Sequence, residues 1–415
     1  VISLIGTESD EPTIVIATPF GDFAAYVDFT APTYTGDTVI TSYTAISDPA
    51  GGSGTLNQSG SGIITVTELT ESTTYTFTIT ATNSAGTSLP SAASNSITTY
   101  ERPPGTQKAI FGFGANSAVL SITNKVLNTG VVGDDTTGVG TERNALAAAG
   151  YGGDKAIFGY GTAIYPTMLS MTNLVSNTGV VATDTAGVGT ARRHLAAAGY
   201  GGDKALFGYG YTIVSAGAVS NSMTNKVSNT GVVANDTTGV GTVREGLAAA
   251  GYGGDKAIFG YGFSTTLYNQ GGVTGYVLMT NKVSNTGVVA TDTATEYGFG
   301  VGTARWGLAA VGYGGDKAIF GYGSYGSNIS ITNLVSNTGV TANNTTGVGT
   351  ARYFLAAAGY NGNKAIFGYG NALIGGTSTN VSITNLVSNT GVVATDTTGV
   401  GTGRTGLAAA GFSLS

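Results

Sequence analysis

The residues of this 415-residue chain that could do chemistry are mainly aromatic and amide side chains. Tyr268, Asn269, Gln270 and Tyr276 lie close together, and the single tryptophan, Trp306, follows them. Aromatic rings stack on sugar rings or anchor protein interfaces, and neighbouring amides bond hydroxyl groups. These residue types predict a binding site rather than a catalytic one.

Catalytic and metal-binding residues are sparse. The chain has no cysteine and one histidine, His194, which we interpret as an exposed loop side chain. No nucleophile, base and orienting group cluster in the sequence, and the carboxylates available for glycan cleavage are few, chiefly Glu245 and Glu296. The alternative is a cation bound by the repeated aspartates, but the sequence contains no ligand loop with the spacing of a calcium site. We therefore expect no enzyme activity, no cofactor and no metal.

Composition limits the partners. The chain is 41% hydrophobic and only 10% charged, and its 68 glycines suit tightly turned β structure. With 17 Lys and Arg against 23 Asp and Glu, no basic stripe is available to bind nucleic acid. No apolar run approaches the roughly 18 residues that span a membrane. We expect neither nucleic-acid binding nor membrane insertion.

Six near-copies of one motif indicate the architecture. Residues 155–161 read KAIFGYG, and the copies begin at Lys108, Lys155, Lys204, Lys256, Lys317 and Lys364. A repeat of this length, rich in glycine, aromatic and β-branched residues, is typical of a β-propeller. The sequence predicts an all-β fold in which residues 107–415 form six four-stranded blades, with the LAAAG strand innermost. The spare C-terminal copy, residues 407–412, would pair with the first KAIFG strand and close the ring.

This repeat resembles kelch-type propellers, in which an arginine precedes the innermost strand. That place is taken here by Arg143, Arg192, Arg244, Arg305, Arg352 and Arg404. We expect these arginines to pair with the acids of strand four, namely Asp135, Asp184, Asp236, Asp292 and Asp396. The kelch tryptophan of the outer strand is missing, so the resemblance implies a fold and a strand order but no function.

The first hundred residues differ from the repeats. Alternating segments predict strands at 13–17, 24–29, 39–46, 62–67, 73–82 and 94–98, as in a β-sandwich. Residues 69–86 resemble the late strands of fibronectin type III domains, which places Leu69 and Tyr75 in the tyrosine-corner region, with Phe29 substituting for the usual tryptophan. We expect an N-terminal extension at 1–11, a spacer-like sandwich at 12–99 and a proline-bearing linker at 100–106. The extension could be a strand that docks into another subunit or a frayed terminus.

Variation among the repeats predicts where binding occurs. The Gly-Gly-Asp and Asn-Thr-Gly turns barely change and should lie on one face, whereas the loops after strand two and the pair after each arginine vary and should share the other. Diverse loops on a rigid scaffold suggest recognition, although unselected drift would also produce them. The predicted ligand-binding residues are Tyr268, Asn269, Gln270, Tyr276, Tyr297, Phe299, Trp306, Tyr353, Phe354, Arg193 and His194.

A fibronectin-like spacer joined to a neutral β array resembles bacteriophage fibres and bacterial surface adhesins. The resemblance implies a non-enzymatic protein of the virion surface or extracellular space, whose partner is a host cell-surface glycan or protein. The alternative is a structural component that contacts neighbouring virion or filament subunits.

Overall fold

The computed structural model describes residues 6–20, 24–70, 73–99, 107–214, 217–265, 274–293 and 301–412. The chain divides into two compact units, Val1–Pro103 and Pro104–Ser415. Every regular element in the described ranges is a β-strand, so the prediction of an all-β protein is confirmed.

The N-terminal unit is a sandwich of two sheets. Its strands are β1 (Thr13–Phe20), β2 (Ala24–Thr30), β3 (Ser42–Asp48), β4 (Ser53–Leu56), β5 (Gly62–Val66), β6 (Thr74–Thr82) and β7 (Ile97–Thr98). One sheet has the order β1-β2-β5 and the other β4-β3-β6-β7. Alternate residues of β2 and β6 are buried, as the period of two in a half-buried strand requires.

The sandwich core contains the residues that the sequence singled out. Phe29 is 1% exposed and packs on Tyr43 with ring centroids 4.4 Å apart. Leu69 and Tyr75 are also buried, and the Tyr75 hydroxyl accepts a hydrogen bond from the Thr70 amide at 3.0 Å. The tyrosine therefore fixes the approach to β6, as the predicted corner requires.

The predicted strand limits of this unit need corrections at four strands. Strand β4 was not predicted, and the last strand covers only Ile97–Thr98 rather than 94–98. Strand β1 runs to Phe20 rather than to 17, and β3 covers Ser42–Asp48 rather than 39–46. Strand β7 is short because serine hydroxyls, rather than backbone carbonyls, accept the hydrogen bonds of three β6 amides. Ser94, Ser91 and Ser88 accept from the amides of residues 77, 79 and 81 at 3.0 Å each. The segment therefore follows β6 without forming a regular ladder.

Six three-stranded sheets make up the C-terminal unit. Their first strands are β10 (Ala147–Tyr151), β13 (Ala196–Tyr200), β16 (Ala248–Tyr252), β21 (Ala309–Tyr313), β27 (Ala356–Tyr360) and β32 (Ala408–Phe412). Their second strands are β8 (Lys108–Gly112), β11 (Lys155–Gly159), β14 (Lys204–Val214), β17 (Lys256–Gly260), β22 (Lys317–Gly321) and β28 (Lys364–Gly368). Their third strands are β9 (Thr123–Val126), β12 (Thr172–Val175), β15 (Gly217–Val227), β20 (Thr280–Val283), β25 (Thr332–Val335) and β31 (Thr384–Val387).

Shorter strands lie beyond these sheets. They are β18 (Phe263–Thr265), β19 (Thr274–Tyr276), β23 (Ser324–Tyr325), β24 (Ser327–Asn328), β26 (Arg352–Tyr353), β29 (Asn371–Ile374) and β30 (Thr377–Asn380). They pair as β18-β19, β23-β24 and β26-β29-β30. All of them belong to the variable loops or to the links between repeats.

The first and last repeats share one sheet. Strand β32 pairs with β8 in the register Ala408↔Gly112 to Phe412↔Lys108, so the predicted pairing of the C-terminal copy with the first KAIFG strand is confirmed. Each first strand contacts the first strand of the next sheet, and β32 contacts β10. The circuit of six sheets therefore closes on itself.

The sequence of the second strand explains how neighbouring sheets pack. In β11, Ile157 packs with Ala205 and Phe207 of the following sheet, whereas Ala156 and Phe158 pack with Ile110 of the preceding one. The strand is therefore apolar on both faces, as predicted.

The predicted fourth strand does not form a ladder. Residues after each Asn-Thr-Gly turn make only two isolated bridges to the third strand, for example Val175↔Val181 and Thr172↔Thr185. An asparagine side chain occupies the space between these bridges, because the Asn173 amide donates to the Ala182 carbonyl at 3.0 Å and to Asp184 at 2.9 Å. The four-stranded repeat predicted from the sequence is therefore wrong, and three strands plus a bridged segment replace it.

The repeated arginines tie each sheet to its neighbour. Arg192 is fully buried, donates to the Tyr209 carbonyl at 2.8 Å and lies 4.4 Å from the Tyr160 ring centroid of the preceding sheet. Its guanidinium is 3.6 Å from Asp236, and the other predicted acids face their arginines at 3.6 to 3.9 Å, which confirms the predicted pairing for five of the six arginines. Burial raises the pKa of Tyr160 to about 12. These residues are structural.

Candidate binding site

The variable loops and links meet at one end of the six sheets, which we name the loop face. Each link contributes two residues directly after its arginine. The first is the outer link residue, namely Asn144, Arg193, Glu245, Trp306, Tyr353 or Thr405. The second is the inner link residue, namely Ala145, His194, Gly246, Gly307, Phe354 or Gly406.

Backbone pairing holds the outer link residues in place. Trp306 bridges Ser324, with amide-to-carbonyl distances of 3.2 and 3.0 Å, and corresponding bridges occur in the other repeats. The partner always follows the Gly-Tyr-Gly or Gly-Phe-Gly end of a second strand. The outer side chains are therefore positioned by main-chain contacts that do not depend on their identity.

The inner link residues form a closed ring of backbone hydrogen bonds. The amide of each donates to the carbonyl of the inner link residue in the preceding repeat, at 2.6 to 2.9 Å, and the amide of Ala145 completes the ring on Gly406. All six residues have φ between 49° and 61°. This left-handed region favours glycine, which three repeats use, but Ala145, His194 and Phe354 adopt it with side chains.

The ring encloses a pocket of about 80 Å³. It is lined by the inner link residues and by the leucine that follows each of them. Within this lining, His194 and Phe354 supply the large side chains, and their ring centroids are 4.9 Å apart. We name this space the axial pocket.

An aromatic cluster extends from the axial pocket across three repeats. The Trp306 ring meets Phe354 edge to face at 4.9 Å and lies 6.1 Å from His194 and 6.5 Å from Tyr353. Phe263 continues the cluster at 6.3 Å from Trp306. Tyr276 and Tyr325 extend it outward, with centroid distances of 5.4 Å from Phe263 to Tyr276 and 5.1 Å between the two tyrosines.

His194 is not the exposed loop side chain that the sequence suggested. Its side chain is 15% exposed, and Nδ1 lies 3.2 Å from Oε2 of Glu245, whose side chain is 11% exposed. The correction follows from the ring geometry, because inner link residues point towards the axis where repeats converge. His194 therefore connects the aromatic cluster to a carboxylate.

Arg193 lies on the loop face in a separate group. Its guanidinium carbon is 4.9 Å from the Tyr165 ring centroid and 5.1 Å from that of Tyr211. Burial, followed by the neighbouring Tyr165, raises the pKa of Tyr211. Tyr165 is 59% exposed, so this cation–π group also faces solvent.

Three neighbouring outer link residues carry buried polar atoms without a partner. Oγ1 of Thr405, Oδ1 of Asn144 and Nε of Arg193 have no hydrogen-bond partner in the described part of the chain. Buried polar atoms are rarely left unpaired in folded proteins. The side of the loop face opposite Trp306 and Tyr353 is therefore polar and incompletely bonded.

The structure brings together Tyr276, Trp306, Tyr353, Phe354 and His194 of the predicted binding residues, and it places Arg193 apart from them. The remaining predicted residues, Tyr268, Asn269, Gln270, Tyr297 and Phe299, lie outside the described residues. Phe263 and Tyr325 were not predicted. Phe263 directly follows a Gly-Tyr-Gly motif, and Tyr325 is the second residue after one. Because the residue after this motif pairs with an outer link residue, the motif was the signal that could have indicated both.

The opposite end of the sheets, which we name the turn face, is uniform for a packing reason. A side chain on Gly231 of an Asn-Thr-Gly turn would lie 3.0 Å from the Tyr151 ring of the preceding sheet. A side chain on Gly152 would lie 2.9 Å from the Asn229 carbonyl of the same turn. The two turn types interlock between neighbouring sheets, so their invariance requires no ligand.

Comparison with known proteins identifies the N-terminal unit. Residues 10–97 match the fibronectin type III domain family. A crystal structure of domains A168-A170 from titin is 26% identical over 23% of this chain and 34% of its own, with a TM-score of 0.21. This chain thus covers about a third of that titin fragment. No curated protein matches the chain.

The match to the family establishes a fibronectin type III domain at residues 10–97. Such domains are typically binding or structural modules. Across the described residues no helix has the length and apolar character needed to cross a bilayer, and the same residues contain no cluster of three His, Cys, Asp or Glu side chains suited to a metal ion.

Proposed function

We propose that the chain is a non-enzymatic binding protein of a virion surface or the extracellular space, and that its loop face recognises a host cell-surface glycan or protein. In this proposal the six sheets are the blades of a kelch-like β-propeller, and the fibronectin type III domain is a spacer. A phage fibre is the kind of protein that combines these parts.

The observation that carries the proposal is the placement of bulky rings on strained backbone beside the axial pocket. His194 and Phe354 have φ of 51° and 49° where three repeats use glycine. A non-glycine residue in this region costs of the order of 1 kcal/mol or more, and such strain is concentrated at functional sites. The fold does not need these side chains, since glycine closes the same hydrogen-bonded ring elsewhere.

The chemistry of the loop face suits a sugar or a protein side chain. Trp306 and Tyr353 offer aromatic faces on one side of the axial pocket, and Asn144 on the opposite side has an amide oxygen without a partner among the described residues. A pyranose has an apolar face for stacking and hydroxyls for such acceptors, and tryptophan and tyrosine also dominate protein interfaces.

The test is binding of the whole chain to a glycan array and to candidate host cells, with Trp306→Ala and Phe354→Gly variants. Phe354→Gly is suitable because glycine already fits the equivalent position in three repeats. Val232→Ala on the turn face, where Val232 is 66% exposed, is the matched control. We expect saturable binding that both loop-face variants weaken at least about tenfold, as for a residue central to an interface, and that the control retains.

Equal binding by all variants would exclude the aromatic cluster as the site. The absence of binding to any tested surface by the folded chain would favour the second candidate, a structural component. One observation supports that candidate: each repeat exposes a valine after its Asn-Thr-Gly turn, by 58% to 66%. The valines are Val131, Val180, Val232, Val288, Val340 and Val392. Sedimentation of the whole chain would then show self-association that Val232→Asp together with Val288→Asp reduces.

A further inference from the structure

A second cavity lies at the turn face. Its volume is about 290 Å³, near the lower end of the range for small-molecule sites. Glycines of the first strands and turns, tyrosines and five lysines line it. The lysines are Lys155, Lys204, Lys256, Lys317 and Lys364. We name this space the lysine cavity.

Four of these lysines have a partner. Each follows an aspartate in the sequence and contacts it, at 2.6 Å for Lys155, 2.8 Å for Lys204, 2.6 Å for Lys256 and 3.0 Å for Lys317. These pairs are formally neutral, so most of the cavity wall carries compensated charge.

The wall formed by the last and first repeats differs. Lys364 follows Asn363 and Lys108 follows Gln107, so both repeats lack the aspartate. Neither lysine makes an ion pair within the described ranges. The two strands that begin with these lysines, β28 and β8, belong to neighbouring sheets. Among the described residues, Lys364 is therefore the one lysine of the cavity lining without an aspartate partner, whereas Lys108 does not line the cavity.

Gln107 adds a donor at the same place. Its backbone carbonyl accepts from the Asn361 amide at 2.8 Å, and its Oε1 accepts from the Gly362 amide at 3.1 Å. Both acceptors are thus used to hold the residue, which lines the lysine cavity. The Nε2 group remains to donate, in a cavity lining that contains Lys364 and no carboxylate among the described residues.

We propose that the lysine cavity binds a small multivalent oxyanion, such as a polyphosphate or polycarboxylate, at Lys364 and Gln107. Ammonium and amide donors without a competing acid are suited to phosphate or carboxylate oxygens. A concave site with low-dielectric walls also strengthens the local positive potential. The proposal is independent of the loop face, which lies at the other end of the sheets.

The test is isothermal titration of the whole chain with tripolyphosphate and, separately, with citrate. We expect one equivalent of at least one anion to bind with a Kd below about 1 mM, and the preferred anion distinguishes phosphate from carboxylate chemistry. The decisive variant is Asn363→Asp, which should weaken binding about tenfold by placing a carboxylate beside Lys364. Aspartate occupies the equivalent position in four other repeats, so this variant is compatible with the fold.

Lys364→Gln should weaken binding to a similar extent. Lys125→Gln is the matched control, because Lys125 lies on the turn face and donates to the Thr178 carbonyl at 3.3 Å without lining the cavity. The proposal is overturned if neither anion binds, or if binding is unchanged in both Asn363→Asp and Lys364→Gln. Equal weakening in Lys125→Gln would also overturn it, because the anion would then be attracted by the surface in general.

Discussion

Asn344→Asp should stabilise the C-terminal unit, because one of the six buried arginines lacks the counter-ion of the others. In the sheet of Arg305 the place of the acid is taken by Asn344, whose Oδ1 accepts from the Asn333 amide at 3.0 Å, whereas the equivalent arginines lie 3.6 to 3.9 Å from aspartates. At about 4 Å and an effective dielectric constant of about 20, a charge pair gains about 4 kcal/mol before desolvation is subtracted. The equivalent aspartates are 25% to 29% exposed, so burial and solvent screening offset most of this gain. We expect a net increase of about 1 kcal/mol in the free energy of unfolding at pH 7.

The pH dependence has a defined sign. Partial burial would raise the pKa of Asp184, but hydrogen bonds from Thr141 and Asn173, together with Arg143, lower it below the ordinary value. A lowered folded pKa gives stability that is present above the unfolded pKa and is lost as the pH falls through the folded pKa. The gain from Asn344→Asp should therefore be complete at pH 7 and disappear towards pH ~2.

Trp306 provides the assay, because it is the only tryptophan and belongs to the C-terminal unit. Its fluorescence during urea unfolding reports this unit alone, and the comparison should be made at pH 7 and at low pH. Asp184→Asn is the reverse control and should lose a similar amount at pH 7. An unchanged midpoint for Asn344→Asp, or a gain that persists at low pH, would refute the electrostatic explanation.

Two further changes test the structural framework. Tyr75→Phe should lower the stability of the fibronectin type III domain by about 1 kcal/mol, because the Thr70 amide loses its hydrogen-bond acceptor; calorimetry would show this, and an unaltered transition would contradict it. Removing residues 408–415 should expose the edge of β8 and its apolar neighbours, so light scattering should show aggregation. A soluble, monomeric truncated chain would show that the last strand is dispensable.

Much of the C-terminal unit could be predicted because the repeats are nearly identical. The Ala-Ile-Phe or Ala-Leu-Phe pattern of each second strand indicated burial on both faces, and the spare copy at the end indicated where the chain closes. The fourth strand could not be predicted correctly, since its Val-Val-Ala-Thr-Asp sequence has strand-like character. Its ladder is prevented by the side chain of Asn173, which bonds the backbone of the fourth segment.

The aromatic cluster was predictable in composition but not in arrangement. Trp306 and Phe354 were recognised as ring-bearing loop residues, yet their contact with His194 arises from repeats that are not adjacent along the chain. Only closure of the ring brings these inner link residues together. The environment of His194 therefore depends on tertiary geometry that no local pattern contains.

The ring of backbone hydrogen bonds at the inner link residues gives every repeat two equivalent neighbours. A linear array has terminal repeats that fray and require capping, but this ring has none. Opening any one repeat breaks contacts on both of its sides, so partial unfolding cannot begin at an end. Because the bonds use only main-chain groups, the residues at these positions can be exchanged singly while the ring persists. New binding specificities can thus arise on this surface without a loss of cooperative folding.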